Sequence, residues 1–230
     1  MPYLFNEARI LVFSKTPIPG HVKTRLCPPL TAQAATQVHK QLTTETLTMA
    51  CTETICPVQL WCSPSPTHSF FKTLEKRFPV TLKRQSGTHL GGRMHHAFNT
   101  ALQSAQHVIL IGSDSPSLSP EILKNAITAL KNDYDITLAP AIDGGYALIG
   151  LNQPQKQLFK DINWGKGDVL NTTLKRIKTL SLNYYELPLQ WDVDTPEDLT
   201  RYQTLNTRPT SAACTGITCP QRTTSLASLK

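Results

Sequence analysis

At 230 residues the chain is long enough for one domain with a sizeable core, and 40% hydrophobic against 17% charged residues excludes a disordered protein. No apolar stretch approaches the roughly 20 residues of a membrane span. Glu7 and Arg9 beside a four-residue apolar run make no signal peptide, so a cytoplasmic protein is expected. The formal charge of +7 is uneven, with 11 basic and 4 acidic groups in residues 1–113 against 9 basic and 12 acidic in 114–205. That split suits a site where cations hold a phosphorylated ligand and carboxylates hold a metal, although scattered solvated charge gives the same totals. No recognition module or aromatic-basic interleaving points to nucleic acid.

Residues 8–14 read as a buried first strand, followed by a Pro/Gly loop from Thr16 to Gly20. Residues 31–50 read as a helix with Ala35, Val38, Leu42 and Met49 on one face. Val58–Cys62 is a short strand, Ser65–Arg77 a helix and Val80–Lys83 a strand. Leu90, Met94, Ala97, Ala101 and Ala105 mark the next helix, and Val108–Ile111 is a continuous apolar strand, as in a sheet covered on both faces. Ser119-Pro120-Glu121 opens a capped helix with a buried stripe of Ile122, Ala126, Ile127 and Leu130. Ile136–Pro140 and Ala147–Leu151 are strands flanking Asp143-Gly144-Gly145, Val169–Leu180 is helical, and Leu182–Leu187 is a strand. Thr195-Pro196-Glu197-Asp198 repeats the capped-helix signature. Alternating strands and helices give an α/β fold with a mainly parallel sheet. Residues 1–205 are expected to form the domain. Residues 206–230, rich in Thr and Ser and without aromatics, read as a disordered tail. The cysteines at 27, 51, 56, 62, 214 and 219 lack the usual zinc spacing and read as free thiols.

Four segments carry chemistry. The loop after the first strand places Lys15, Lys23 and Arg25 within eleven residues, where an open α/β sheet keeps its ligand crevice. Gly20 there lets backbone approach a ligand closely. The loop reads as a phosphate site, or as a solvated basic loop. Asp114, in Gly112-Ser113-Asp114-Ser115-Pro116 just past an apolar strand, can hold Mg²⁺ or Mn²⁺ bridging to diphosphate, and reads equally as a turn aspartate. Asp143-Gly144-Gly145-Tyr146 is a strong hairpin signal. It also suits an acceptor site, with Asp143 bonding hydroxyls and acting as base or orienting group. In Trp191-Asp192-Val193-Asp194, alternate carboxylates in extended chain point the same way, and Asp194 is the favoured metal ligand. Arg93, at a Gly-rich helix entrance, can meet phosphate or base. Trp164 can pack on a ligand or fill a core edge, and His95 and His96 read as ordinary helix residues.

The first strand and its loop, Gly112 to Pro116, Asp143 to Gly150 and Asp192 to Leu199, in this order, resemble a bacterial glycosyltransferase-like family, DUF2064. Some of its members are assigned to arsenosugar biosynthesis. More distantly the set is similar to the molybdenum-cofactor and phospholactate guanylyltransferases. The resemblance covers about residues 8–205. It implies a GT-A, Rossmann-like fold, helices on both faces of the sheet, and donor phosphates bordered by Lys15, Lys23 and Arg25. It also implies Asp114 and Asp194 as the two metal ligands. The expected function is a metal-dependent transfer of sugar from a nucleotide-sugar donor to a small acceptor. Nucleotidyl transfer with release of pyrophosphate is the alternative, and a non-catalytic nucleotide-binding protein a second one. The guanylyltransferases usually carry a more glycine-rich first loop; this one is proline-rich.

Overall fold

Strand β1 (Ala8–Lys15) feeds two cores at once. Its alternate residues Ile10 and Val12 enter one hydrophobic cluster, while Leu11 and Phe13 enter the other, as the two-residue period of a strand requires. In the computed structural model, which describes residues 2–165 and 167–207, six further strands join it: β2 (Val58–Ser63), β3 (Val80–Arg84), β4 (His107–Gly112), β5 (Ile136–Pro140), β6 (Tyr146–Leu151) and β7 (Tyr184–Glu186). Their order is β3-β2-β1-β4-β6-β5-β7, and β6 alone among them runs against the rest. The fold is the expected α/β, mainly parallel sheet with helices on both faces.

Helices α1 (Ala32–Cys51), α2 (Ser69–Arg77) and α4 (Pro120–Lys131) cover one face through Leu47, Phe71, Leu74, Leu123 and Ile127. The other face is covered by α3 (Leu90–Ala101), α5 (Lys156–Phe159) and α6 (Val169–Thr179), through Met94, Phe98, Phe159 and Ile177. Helix α7 (Pro196–Thr207) packs Leu199 and Tyr202 with Leu42 of α1, Leu26 and Trp191 in a third cluster. No helix among the described residues is long and apolar enough to cross a membrane.

Several bounds differ from the sequence reading. Helix α2 begins at Ser69 instead of Ser65, because Pro64 and Pro66 hold their predecessors extended, and His68 Nδ1 accepts from the Phe70 N–H as the cap. Helix α3 stops at Ala101, short of Ala105. In α4 the deeply buried stripe contains Leu123, with Ile122 only half-buried. Helix α7 runs to Thr207, two residues past the expected domain end, and the rest of the segment read as a tail, residues 208–230, lies outside the described residues with Cys214 and Cys219. The other four cysteines are free thiols.

Beyond β1 the chain moves to β2 and β3 on one side, then to β4 on the other. Loops leaving the carboxyl ends of β1 and β4 therefore diverge and open a crevice between them. The turn after β5 and the segment after β7 emerge at the same end, because β5 and β7 run parallel to β4. This topology collects the four chemistry-bearing segments.

Candidate functional site

The loop after β1 is anchored before it reaches the crevice. Thr16 donates both its N–H and its hydroxyl to the carbonyl of Ser63 at the end of β2, at 2.7 and 3.0 Å. Gly20, at φ +80°, and a turn closed by the His21 N–H on the Ile18 carbonyl then reverse the chain. Lys23 follows in a left-handed conformation, φ 48°, at the head of a single 3-10 turn, Thr24–Leu26, whose Leu26 is fully buried. A non-glycine residue there is strained by about 1–3 kcal/mol. From there its side chain runs inward and is buried.

Lys23 Nζ donates to Asp114 Oδ2 at 2.8 Å and to Asp194 Oδ1 at 2.9 Å. The Lys23 side chain is only 5% exposed, whereas Asp114 and Asp194 are 36% and 40% exposed and open to the crevice. Arg25 stands 3.6 Å from the second oxygen of Asp194. Burial by itself pushes the Lys23 pKa down, but the two carboxylates outweigh it and hold the ammonium protonated above its ordinary range. Burial likewise pushes Asp114 up, and Lys23 overrides it so that the net shift is downward.

Asp192 lies behind this pair. Ser115 Oγ donates to its Oδ1. Burial, then repulsion from Asp114, pushes its carboxyl up to about 7 against the opposing Ser115 hydrogen bond. The Val193 N–H on the Asp114 carbonyl, at 3.0 Å, ties the two carboxylate segments together. Asp198 fixes Asp194 from the other side: its Oδ2 accepts from the N–H groups of Asp194 and Thr195 and from the Thr195 hydroxyl, at 3.2, 2.9 and 2.9 Å. Thr195 Oγ1 accepts from the Asp198 N–H in return, at 3.3 Å, closing a capping box at the start of α7.

Lys23, Arg25, Asp114 and Asp194 border a cavity of about 660 Å³. Of the predicted residues, Lys15, Lys23, Arg25, Arg93, Asp114, Asp143, Gly145 and Asp194 line it. Arg93 is held by its Nη1 on Ser63 Oγ at 3.0 Å and its Nε on the Gly87 carbonyl at 3.1 Å. Asp143 is exposed on the cavity wall, its Oδ1 accepting from the Gly145 N–H at 2.9 Å. Three predicted residues are not on the wall. Gly20 sits in the exposed turn, Gly144 at φ +85° backs onto Gly167, and the Tyr146 ring packs edge-on against Trp164 in the core. Trp164 fills this core edge, while its neighbour Gly165 reaches the cavity.

Sequence reasoning missed two buried polar residues of the wall. His39, on α1, places Nε2 2.8 Å from the Lys15 carbonyl, and burial lowers its pKa. Gln85, just past β3, donates its amide N–H groups to the carbonyls of Trp61 at 2.8 Å and Ser14 at 3.4 Å. The position of Gln85 beyond a strand's carboxyl end was a signal available in the sequence; His39 gave none, because it sits among threonines on the helix.

Among the described residues no group of three or more His, Cys, Asp or Glu has metal-binding geometry. Asp114 and Asp194 nevertheless aim two hard oxygen donors at one cation, the Lys23 ammonium. Such a pair fits Mg²⁺, which takes one or two carboxylates and completes its shell with phosphate oxygens and water.

Fold and comparison together define the class: a GT-A, Rossmann-like protein of the nucleotide-diphospho-sugar transferase superfamily. A provisionally assigned nucleotide-diphospho-sugar transferase from Desulfovibrio desulfuricans is 30% identical, with 90% of each chain covered and a TM-score of 0.79. The chain belongs to DUF2064, a family of uncharacterized proteins conserved in bacteria, whose model matches residues 27–166. The fold extends to two enzymes of low identity. The CMP:2-keto-3-deoxy-manno-octonic acid synthetase is 10% identical over 87% of this chain and 98% of its own, at TM-score 0.58. The 4-diphosphocytidyl-2C-methyl-D-erythritol synthase of Anaerococcus prevotii is 9% identical over 88% and 97%, at 0.59. No curated protein matches the chain.

Proposed function

We propose that this protein is a metal-dependent transferase that moves a sugar from a nucleotide-sugar donor to a small acceptor. The observation that carries this reading is the meeting of Asp114, Asp194 and Lys23 at the mouths of β4, β7 and β1, inside a cavity also bordered by Lys15, Arg25 and Arg93. Carboxylates paired with a crowd of fixed cations suit a diphosphate whose charge grows as the bond to the sugar breaks. The assignment of the 30% identical relative, and of the superfamily, supports the same substrate class.

Asp114 and Asp194 would hold Mg²⁺ or Mn²⁺, which when bound neutralises charge on the leaving diphosphate. Lys15, Lys23, Arg25 and Arg93 bind and orient the phosphates, each contributing a cation from the strand, loop or helix that carries it. Asp143 also lines the cavity, held by the Gly145 N–H. From there it orients an acceptor hydroxyl or takes its proton.

The test is turnover of a panel of nucleotide sugars and nucleoside triphosphates with small hydroxylated acceptors, with and without Mg²⁺ or Mn²⁺. Metal-dependent release of a nucleoside diphosphate supports sugar transfer. Release of pyrophosphate from a triphosphate overturns it in favour of nucleotidyl transfer. Metal-dependent binding with no product from either class makes the protein a nucleotide sensor.

A further inference from the structure

The ammonium of Lys23 and a divalent cation cannot share the position between Asp114 Oδ2 and Asp194 Oδ1. Nζ is at contact distance from one oxygen of each carboxylate, 2.8 and 2.9 Å, and its side chain is 5% exposed. A magnesium ion needs carboxylate oxygens at about 2.0–2.1 Å, so it would overlap Nζ in that position.

The local charge gives the same answer. Asp114 and Asp194 contribute two negative charges, and Lys23 and Arg25 two positive ones, so the four cancel. A divalent cation entering alone would add two positive charges to this balanced group of four. A diphosphate entering with it restores the balance and offers Lys23 a new partner. The lysine stem is four flexible carbons long, so the ammonium can change partners while the loop backbone stays in place.

We propose that Lys23 is an internal counter-ion of the metal site: it holds the carboxylate pair in the metal-free protein and gives the pair up only when donor phosphates arrive. Nucleotide and metal then bind as a unit, and metal alone is excluded. This rests on the reading of Asp114 and Asp194 as metal ligands. It adds a binding order enforced by one side chain.

The experiment titrates Mn²⁺ alone into the full chain, read by calorimetry and by the Mn²⁺ electron paramagnetic resonance signal. Parent, Lys23→Met, Lys23→Gln and the double variant Lys23→Met/Asp114→Asn are compared. Lys23→Met is expected to bind Mn²⁺ at least tenfold more tightly than the parent and to gain a Mn²⁺-dependent rise in Tm. The double variant is expected to lose both. Lys23→Gln keeps hydrogen-bond donors for both carboxylates without the charge. It is expected to behave like Lys23→Met, and it carries the test if the methionine variant fails to fold. Equal Mn²⁺ affinity in parent and Lys23 variants, at a site that the double variant lacks, overturns the counter-ion role and leaves the metal reading standing. No Mn²⁺ binding in any variant, even with inorganic pyrophosphate present, overturns the metal reading and this inference together.

Discussion

The N–H of Val193 donates to the carbonyl of Asp114 across 3.0 Å, joining the segment after β7 to the segment after β4. Through this bond and the Lys23 bridge, the positions of the two carboxylates depend on each other. Replacing Asp114 by Asn leaves the backbone link intact and removes one charge from the bridge. The expected result is loss of the metal-dependent Tm rise with nucleotide-sugar donors, since a neutral amide holds Mg²⁺ poorly. Metal titration curves, taken with donor present, that superimpose on those of the parent would remove Asp114 from the site. In the metal-free protein the change should cost about 1–2 kcal/mol in urea unfolding, between the value of an exposed ion pair and that of a fully buried one.

On mild acidification His39 should lower stability, against the opposite contribution of Asp192, whose raised carboxyl takes up its proton in the fold first. Burial lowers the folded pKa of His39 below the ordinary histidine value of about 6.5. The unfolded chain therefore takes up a proton before the folded one does. The His39 contribution is fully present above about pH 6.5 and is lost as the pH falls through the lowered folded value. The groups facing it are the Lys15 carbonyl and Ser14 Oγ, with Lys23, Lys15 and Asp114 acting through space. His39→Gln should flatten the difference in unfolding free energy between pH 7 and pH 5 relative to the parent. An unchanged slope would show that His39 takes up its proton equally in the folded and the unfolded chain.

Much of this was legible in the sequence for physical reasons. Parallel strands covered on both faces are continuous apolar runs, so Val108–Ile111 and Ile136–Pro140 announce themselves. Residues just past such strands fall in the crevice by topology, which is why Lys15, Asp114 and Asp143 were found without coordinates. The face of α1 was harder. Its buried positions are Ala35, Thr36, His39, Leu42, Thr43, Thr46, Leu47 and Ala50, and half are polar. The apolar pattern pointed to Val38 and Met49, which are only half-buried. The threonines are tolerated because Thr36 and Thr43 donate to carbonyls one turn back, at 2.8 and 2.9 Å. The Lys23 bridge was not legible at all. Its partners lie 91 and 171 residues away, and nothing local in a basic loop says whether its lysine meets phosphate or carboxylate.

Two glycines at positive φ should respond differently to alanine. Gly20, at +80°, has open space where a Cβ would go, so Gly20→Ala meets only backbone strain, about 1 kcal/mol. Gly144, at +85°, would drive its Cβ into the backbone of Gly167, and the Gly144 carbonyl also accepts from the Leu170 N–H at 2.9 Å. Gly144→Ala should therefore cost roughly 2–4 kcal/mol, since a backbone clash adds to the strain. It should also weaken acceptor use more than donor binding, because Asp143 is displaced with the turn. Equal melting temperatures for the two variants would refute the close approach of the Asp143 turn and the Gly167 loop.

Asp198 tests whether the carboxylate of Asp194 is positioned or merely present. Its Oδ2 takes three hydrogen bonds from Asp194 and Thr195, so Asp198→Ala leaves the Asp194 N–H without its side-chain partner and removes one half of the capping box. Loss of the cap alone should cost about 1 kcal/mol of stability. A purely structural effect would stop there, with donor and metal binding unchanged once the protein is held well below its Tm. If Asp198 positions Asp194, metal-dependent donor binding should weaken severalfold at that same temperature. Asp198→Asn, which keeps an acceptor oxygen, should recover most of both losses. Calorimetric titration of donor with Mg²⁺ into the two variants separates these outcomes, and unaltered affinity in Asp198→Ala would show that Lys23 and Val193 suffice to hold the Asp194 segment.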